Sequence, residues 1–196
     1  MPKSRPYPWT RGSVALVGSA KSLLDSSFGP EIDAHDWVIR INQGAFAALT
    51  TANTGVRTDV VLMTVTGGTI RHRLMFLIRV MRIVGWKVVL MSPKQRSLLG
   101  VDLAWFFPHY PEAWHRELTN ALGSRPSTGA MGVDLLLRTM EDPTRLSLYG
   151  FDFFRTPDIA HGRNRVVAHS PEAEEHYIRG VIPPERFFES PIVTEN

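Results

Sequence analysis

The sequence contains no cysteine. That excludes a disulfide-stapled scaffold, a thiol nucleophile, an iron–sulfur cluster and cysteine-ligated zinc, and it fits a reducing compartment. The histidines lack the His-x-x-x-His spacing of a zinc site, so no metal is expected. Long apolar runs are missing as well. The most lipophilic stretch, 74–84, is interrupted by Arg79 and Arg82 and is too short to span a bilayer. Residues 1–12 are rich in Pro and Arg without an apolar centre, so they read neither as a signal peptide nor as an anchor. A soluble, cytoplasmic protein is the expectation. Acidic residues are absent from one long segment: none lies between Asp59 and Asp102, where Arg71, Arg73, Arg79, Arg82, Lys87, Lys94 and Arg96 all fall. The net charge is only +3. No aromatic–basic interleaving or base-reading motif accompanies the basic segment, so nucleic acid is not an expected partner.

What is present is a chain of 196 residues, 43% hydrophobic and 21% charged, with enough apolar content for one compact domain. Short apolar runs at 13–18, 37–42, 58–63, 87–91 and 146–149 read as buried strands, with 105–107 as a further short one. Helices are expected over 69–84, shortly after Pro93, over 110–122 with Gly123 closing it, over 128–140 and over 171–179. Strands and helices alternating through short connections argue for an α/β domain, a mainly parallel sheet with helices on both faces. The domain would occupy 13–196, with 1–12 as an N-terminal arm and the Pro-rich stretch from Pro183 as another surface arm.

Four features carry potential chemistry. Gly18-Ser-Ala-Lys21 follows the first strand, where a glycine turn lets a phosphate approach unpaired helix amides. It matches neither dinucleotide nor P-loop spacing, and a strand that merely ends at glycine is the favoured explanation of this turn alone. Pro126-Ser-Thr-Gly-Ala130 places Ser127 or Thr128 at a helix N-cap. Those hydroxyls and the bare Gly129 suit a phosphate or ribose, and an ordinary capped helix start suits them equally. His161 and His169 lie in a polar loop at the C-terminal edge of the sheet, where open α/β folds bind ligands. Either they are surface histidines, with Glu172 and Glu174 steadying the helix that follows, or one imidazole is a general base and the other stabilises charge. Lastly, a core helix with a solvated face is the favoured reading of the basic helix of Arg71–Arg82 alone, and an interfacial helix seeking anionic lipid or a phosphate-rich glycolipid is the other.

Three separated segments, taken in order, resemble the sialylmotifs of glycosyltransferase family 29, the sialyltransferases. Val14-Ala-Leu-Val-Gly-Ser19, Leu24-Asp-Ser-Ser-Phe-Gly-Pro-Glu-Ile-Asp33 and His35-Asp-Trp-Val-Ile-Arg-Ile-Asn42 look like the large motif. Arg125-Pro-Ser-Thr-Gly129 through Leu148-Tyr-Gly-Phe151 is similar to the small motif. His169 followed by Glu174 fits the very short His-x4-Glu motif, and His161 falls where a further histidine motif is expected.

The resemblance implies a metal-independent, inverting transferase with a Rossmann-like, variant GT-A fold, using a CMP-activated sugar acid as donor substrate and no cofactor. The chain has no Asp-x-Asp motif, the usual carboxylate pair for a metal–nucleotide complex in one large class of glycosyltransferases. Carried over residue by residue, Gly18, Asn42, Ser127, Thr128 and Gly129 belong to the CMP-binding set, and Ser19 stands where the family commonly has Asn. His169 would deprotonate the acceptor hydroxyl, His161 would donate to the departing phosphate, and Glu174 would support the site. Asp25, Glu31, Asp33, His35 and Asp36 read as structural; Arg40 is either structural or faces an anion. Animal members carry a Golgi anchor, a stem and a disulfide between the large and small motifs. The expectation here is instead a short cytoplasmic, bacterial member that moves sialic acid or Kdo onto a glycan or glycolipid hydroxyl. Peripheral contact with anionic membrane through the Arg71–Arg82 helix is part of that expectation. The alternative is a CMP-binding module without transfer activity.

Overall fold

The computed structural model describes residues 7–48, 51–64, 69–93, 97–98, 101–159 and 169–190. Five apolar runs become strands: β1 (Val14–Val17), β2 (Trp37–Ile41), β3 (Val60–Met63), β4 (Val88–Leu90) and, after a small antiparallel hairpin of β5 (Ser97–Leu98) and β6 (Val101–Asp102), β7 (Leu146–Tyr149). A two-residue strand, β8 (Phe187–Phe188), completes one sheet in the order β4-β3-β2-β1-β7-β8. Every pairing in it is parallel. Runs such as Val-Ala-Leu-Val and Val-Val-Leu-Met are buried at every residue, as strands covered on both faces require.

Among the described residues, six α-helices supply the cover: α1 (Gly29–Asp33), α2 (Gly44–Ala47), α3 (Ile70–Val84), α4 (Glu112–Leu122), α5 (Thr128–Thr139) and α6 (Pro171–Val181). The alternation of side chains along each strand decides which helix each one meets. Leu16, Ile39, Ile41 and Leu62 share one core with Leu118 of α4, Leu135 of α5 and Ile178 of α6. On the opposite face Val61, Met63, Val88 and Leu90 pack with Leu77, Val80 and Val84 of α3, while Ala15, Val17 and Val38 pack with Ile32 of α1. A buried carboxylate ties the first group of helices together. Asp134 of α5 accepts from Tyr110 (2.6 Å), from Tyr177 of α6 (3.3 Å) and from Arg138, whose guanidinium also reaches Glu117 of α4.

Two of the residues read as structural fix the turn into β2. Asp33 accepts from the Val56 and Arg57 amides, and Asp36 accepts from the Ser13 amide and hydroxyl. Arg40 is fully buried, its guanidinium donating to the carbonyls of Thr54, Gly55 and Arg57. It is therefore structural, and burial pulls its pKa down to about 10.

Three expectations need correction. Residues 105–107 are not a strand: Asp102 caps a 3-10 turn at Leu103–Trp105, and contact with β4 passes instead to a single bridge between Leu90 and His109. The N-terminal arm is not wholly surface. Trp9 is fully buried, its indole nitrogen donates to Thr139 (3.0 Å), and Tyr7 stacks on it. The stretch from Pro183 turns through Pro184–Arg186 and joins the sheet as β8, where Phe188 stacks on Tyr149 at 4.5 Å. In both cases aromatic rings embedded in a Pro-rich segment drive the burial. The helix expected after Pro93 falls largely on residues outside those described.

The sheet tolerates no side chain where β1 ends. A Cβ placed on Gly18 would lie 2.2 Å from the Gly150 carbonyl oxygen. Gly18→Ala should therefore cost about 1–3 kcal/mol, the usual penalty of overpacking, read as a lower midpoint in thermal unfolding. A variant that melts with the wild type would mean that the two strand ends part freely.

Candidate active site

The strand order reverses at β1: the chain steps outward from it through β2, β3 and β4 on one side and returns to β7 and β8 on the other. Crossovers leave such a strand in opposite senses, and the C-terminal ends beside it form a crevice. Four turns meet there. The Gly18 amide donates to the Tyr149 carbonyl at 2.7 Å. Gly150 adopts φ +67°, a left-handed conformation that costs a residue with a side chain. Asn42, directly after β2, is also left-handed, at φ +48°. Its side chain is used at both ends: Oδ1 accepts from the Thr64 amide beyond β3 (2.6 Å), and Nδ2 donates to Thr128 Oγ1 (3.2 Å). Asn42 thus joins the ends of two strands to the start of α5.

That helix start is the centre of the arrangement. Ser127 is the N-cap, its Oγ accepting from the Ala130 amide at 3.1 Å. The amides of Thr128 and Gly129 lie in the first turn, where no intrahelical carbonyl reaches them, at the positive end of the helix dipole. Glu174 of α6 accepts from both the amide and the hydroxyl of Ser127, each at 2.6 Å. Ser170 caps α6 in turn. One residue earlier, His169 Nδ1 lies 2.8 Å from the Arg125 carbonyl. A carbonyl only accepts, so Nδ1 carries the proton and Nε2 presents its lone pair.

The expected residues are therefore distributed as follows. Gly18, Asn42, Ser127, Thr128, Gly129, His169 and Glu174 come together at one edge of the sheet. Ser19 is turned differently: its hydroxyl donates to Asp158 at 2.6 Å, and its carbonyl accepts from the Ile159 amide. His161 lies outside the described residues. Among the described residues, no three His, Asp or Glu side chains converge in a way that could hold a metal ion.

Residues that sequence reasoning did not assign to the site also contribute. Phe151 lies against both Gly18 and Gly129, each close enough that a Cβ there would touch its ring. Phe154 stacks on His169 with rings 12° apart. Phe153 and Phe154 are both left-handed, at φ +53° and +64°. With Asn42 they complete the set of non-glycine residues in that region among those described, and all three lie at this edge. Strained backbone gathered at one edge is a mark of a functional site. A Phe-Phe pair after a strand carries no sequence signal for such a turn.

Glu174 is only 2% exposed. Burial raises its pKa, outweighing the two Ser127 hydrogen bonds and the nearby His169, which pull it down. Glu174→Ala leaves the Ser127 amide without its partner and should cost about 1–3 kcal/mol in urea unfolding. Glu174→Gln keeps an acceptor for that amide and should cost less. The folded protein holds the Glu174 proton more tightly than the unfolded chain does. This contribution to stability is full below the ordinary value of 4.5 and is lost as pH rises through the raised one. Gln has no such loss, so the balance should shift toward Glu174→Gln as pH rises. A difference between the two that does not vary with pH would remove this assignment.

The sequence matches the model of glycosyltransferase family 29 (sialyltransferase) over residues 7–101. It is 59% identical over 29 residues to CMP-N-acetylneuraminate-beta-galactosamide-alpha-2,3-sialyltransferase 1 of Mus musculus, covering 15% of this chain and 9% of that protein. To the Homo sapiens protein of the same name it is 46% identical over 44 residues, 22% of this chain and 13% of that one. The match thus spans about a tenth of the length of these relatives. The fold is similar to the crystal structure of a mammalian sialyltransferase in complex with Gal-beta-1-3GalNAc-ortho-nitrophenol. The TM-score is 0.58 at 20% identity, covering 91% of this chain and 69% of that chain. A second mammalian sialyltransferase structure gives a TM-score of 0.58 at 19% identity with the same coverage. Just under half of the chain thus matches the family 29 model, and its fold is that of the two sialyltransferase structures.

Proposed function

We propose that this protein is a metal-independent, inverting glycosyltransferase of Rossmann-like, variant GT-A type. It moves a sugar acid from a CMP-activated donor to a glycan hydroxyl. The observation that carries the reading is His169, held with Nδ1 on the Arg125 carbonyl beside the N-terminus of α5. Nε2 takes the proton from the acceptor hydroxyl as the oxygen attacks the anomeric carbon. The bond from that carbon to the phosphate oxygen breaks on the opposite face, and CMP departs with the electron pair. The amides of Thr128 and Gly129 receive the phosphate charge at the helix N-terminus, with His161 as a second donor to it. Asn42 and Thr128 fix the edge against which the nucleotide lies, and Glu174 holds Ser127 in place.

CMP-sialic acid is the first donor in this reading and CMP-Kdo the second. The sialyltransferase in the first solved structure holds a Gal-beta-1-3GalNAc derivative, so galactose-terminated glycans are the first acceptors to try. A cytoplasmic, bacterial setting accords with the absence of cysteine. A lipid-carried acceptor, met through peripheral contact of α3 with anionic membrane, belongs to the same reading. The alternative of a CMP-binding module without transfer draws on Ser19, whose hydroxyl is committed to Asp158 rather than to a donor.

His169→Ala separates the two. In an enzyme it should lower transfer by at least about a hundredfold, the usual share of a general base, while CMP affinity stays within a few-fold. Hydrolysis and transfer should be followed with CMP-sialic acid and CMP-Kdo, with and without chelator. Binding of CMP with no turnover of either donor by the wild type would decide for the binding module. A strict requirement for a divalent ion would contradict the mechanism.

A further inference from the structure

Ten large apolar side chains are exposed among the described residues, and seven of them lie between residues 70 and 106. Four belong to α3: Ile70, Leu74, Met75 and Ile78. The others gather where α3 has ended and β4 begins. Trp86 is 62% exposed and stacks on buried Phe107 at 5.5 Å, and the two residues preceding that phenylalanine, Trp105 and Phe106, are 72% and 52% exposed. This group is at the N-terminal end of β4, so the apolar surface runs the length of α3 from the catalytic edge to the far side of the sheet.

The charged side chains of α3 itself have one sign. At about 100° per residue, Ile78, Arg71, Arg82 and Met75 fall within an arc of about 60° on α3, opposite the residues packed on the sheet. Arg71, Arg79, Arg82 and Lys87 are all exposed. Arg79 is steadied over the Phe46 ring at 4.6 Å. No acid lies between Asp59 and Asp102 to balance them. A solvated helix face mixes both signs with few apolar residues. This one interleaves cations with apolar side chains and ends in two exposed tryptophans.

We propose that the outward face of α3 and the Trp86–Trp105–Phe106 cluster form one interfacial surface for an anionic lipid bilayer. A second copy of the same surface would set arginine against arginine. Lipid phosphates meet the guanidinium groups, while the apolar side chains enter the boundary below them and the indoles rest at headgroup level. No helix among the described residues is long and apolar enough to cross a membrane, so the contact is one of lying on the surface. With α3 flat, the sheet lies parallel to the bilayer and its C-terminal edge faces along the membrane plane, within reach of a glycan carried on a lipid. The surface extends the α3 contact of the proposed function, and rests on that reading only for its purpose.

The test is sedimentation with phosphatidylcholine vesicles, with and without phosphatidylglycerol, while tryptophan emission is followed. The wild type should bind the anionic vesicles, shift its emission to the blue, and release as salt is raised. Arg71→Ser with Arg82→Ser should weaken binding about tenfold or more. Trp86→Ser with Trp105→Ser should abolish the emission shift while circular dichroism stays that of the wild type. Absence of binding at low salt, binding indifferent to both pairs of substitutions, or self-association through this face without lipid each overturns the proposal. Transfer to a soluble acceptor, measured in parallel, keeps the two readings apart. Turnover without vesicle binding removes only this surface, and vesicle binding without turnover removes only the proposed reaction.

Discussion

Glu174 reaches from the first turn of α6 to the cap of α5 and takes both groups that Ser127 offers, its amide and its hydroxyl. A carboxylate this deeply buried is expensive unless both oxygens are engaged, and here both are. The bond converts two helix starts into one rigid corner. His169 sits on that corner, a residue ahead of the α6 cap, with its imidazole fixed from one side by the Arg125 carbonyl and covered on the other by Phe154. Were α6 free to slide, the His169 imidazole and the first amides of α5 would move independently. The Asp134 web makes the same correction further along, holding the middle of α5 against α4 and α6.

The sheet performs the complementary task. Because all six strands are parallel, every C-terminal turn arrives at one edge. Gly18 and Gly150 then let two of those turns approach backbone to backbone. Asn42 spans the remaining gap, between the ends of β2 and β3 and the start of α5. The site is thus assembled from turn residues whose positions are set by strands, rather than from a single local motif.

This explains what the sequence made legible and what it hid. Fully buried parallel strands read as unbroken apolar runs, so Val14–Val17, Val60–Met63 and Leu146–Tyr149 were visible within a residue or two. Helix caps are local chemistry, and Ser127, Ser170 and Gly123 stand where capping rules put them. Tertiary partnerships leave no such trace. Glu174 finds Ser127 across 47 residues, and Ser19 finds Asp158 across 139; nothing near either residue announces its mate. Trp9 and Phe188 were obscured by the prolines around them, because composition describes a segment's flexibility better than the affinity of one ring for a core. The resemblance to the sialylmotifs gathered Asn42, Ser127 and His169 into one list. Their spatial meeting is a property of the fold.

Among the described residues, both margins of the sheet leave little open backbone. On one side the bridge from His109 to Leu90 occupies the outer rim of β4, and on the other β8 is only two residues long. Long open strand edges are templates for pairing with a neighbouring chain, and short or covered ones are not. A protein that collects on a surface meets its own copies far more often than one diluted in bulk. With little backbone open along either margin among the described residues, one copy offers another few groups to pair with.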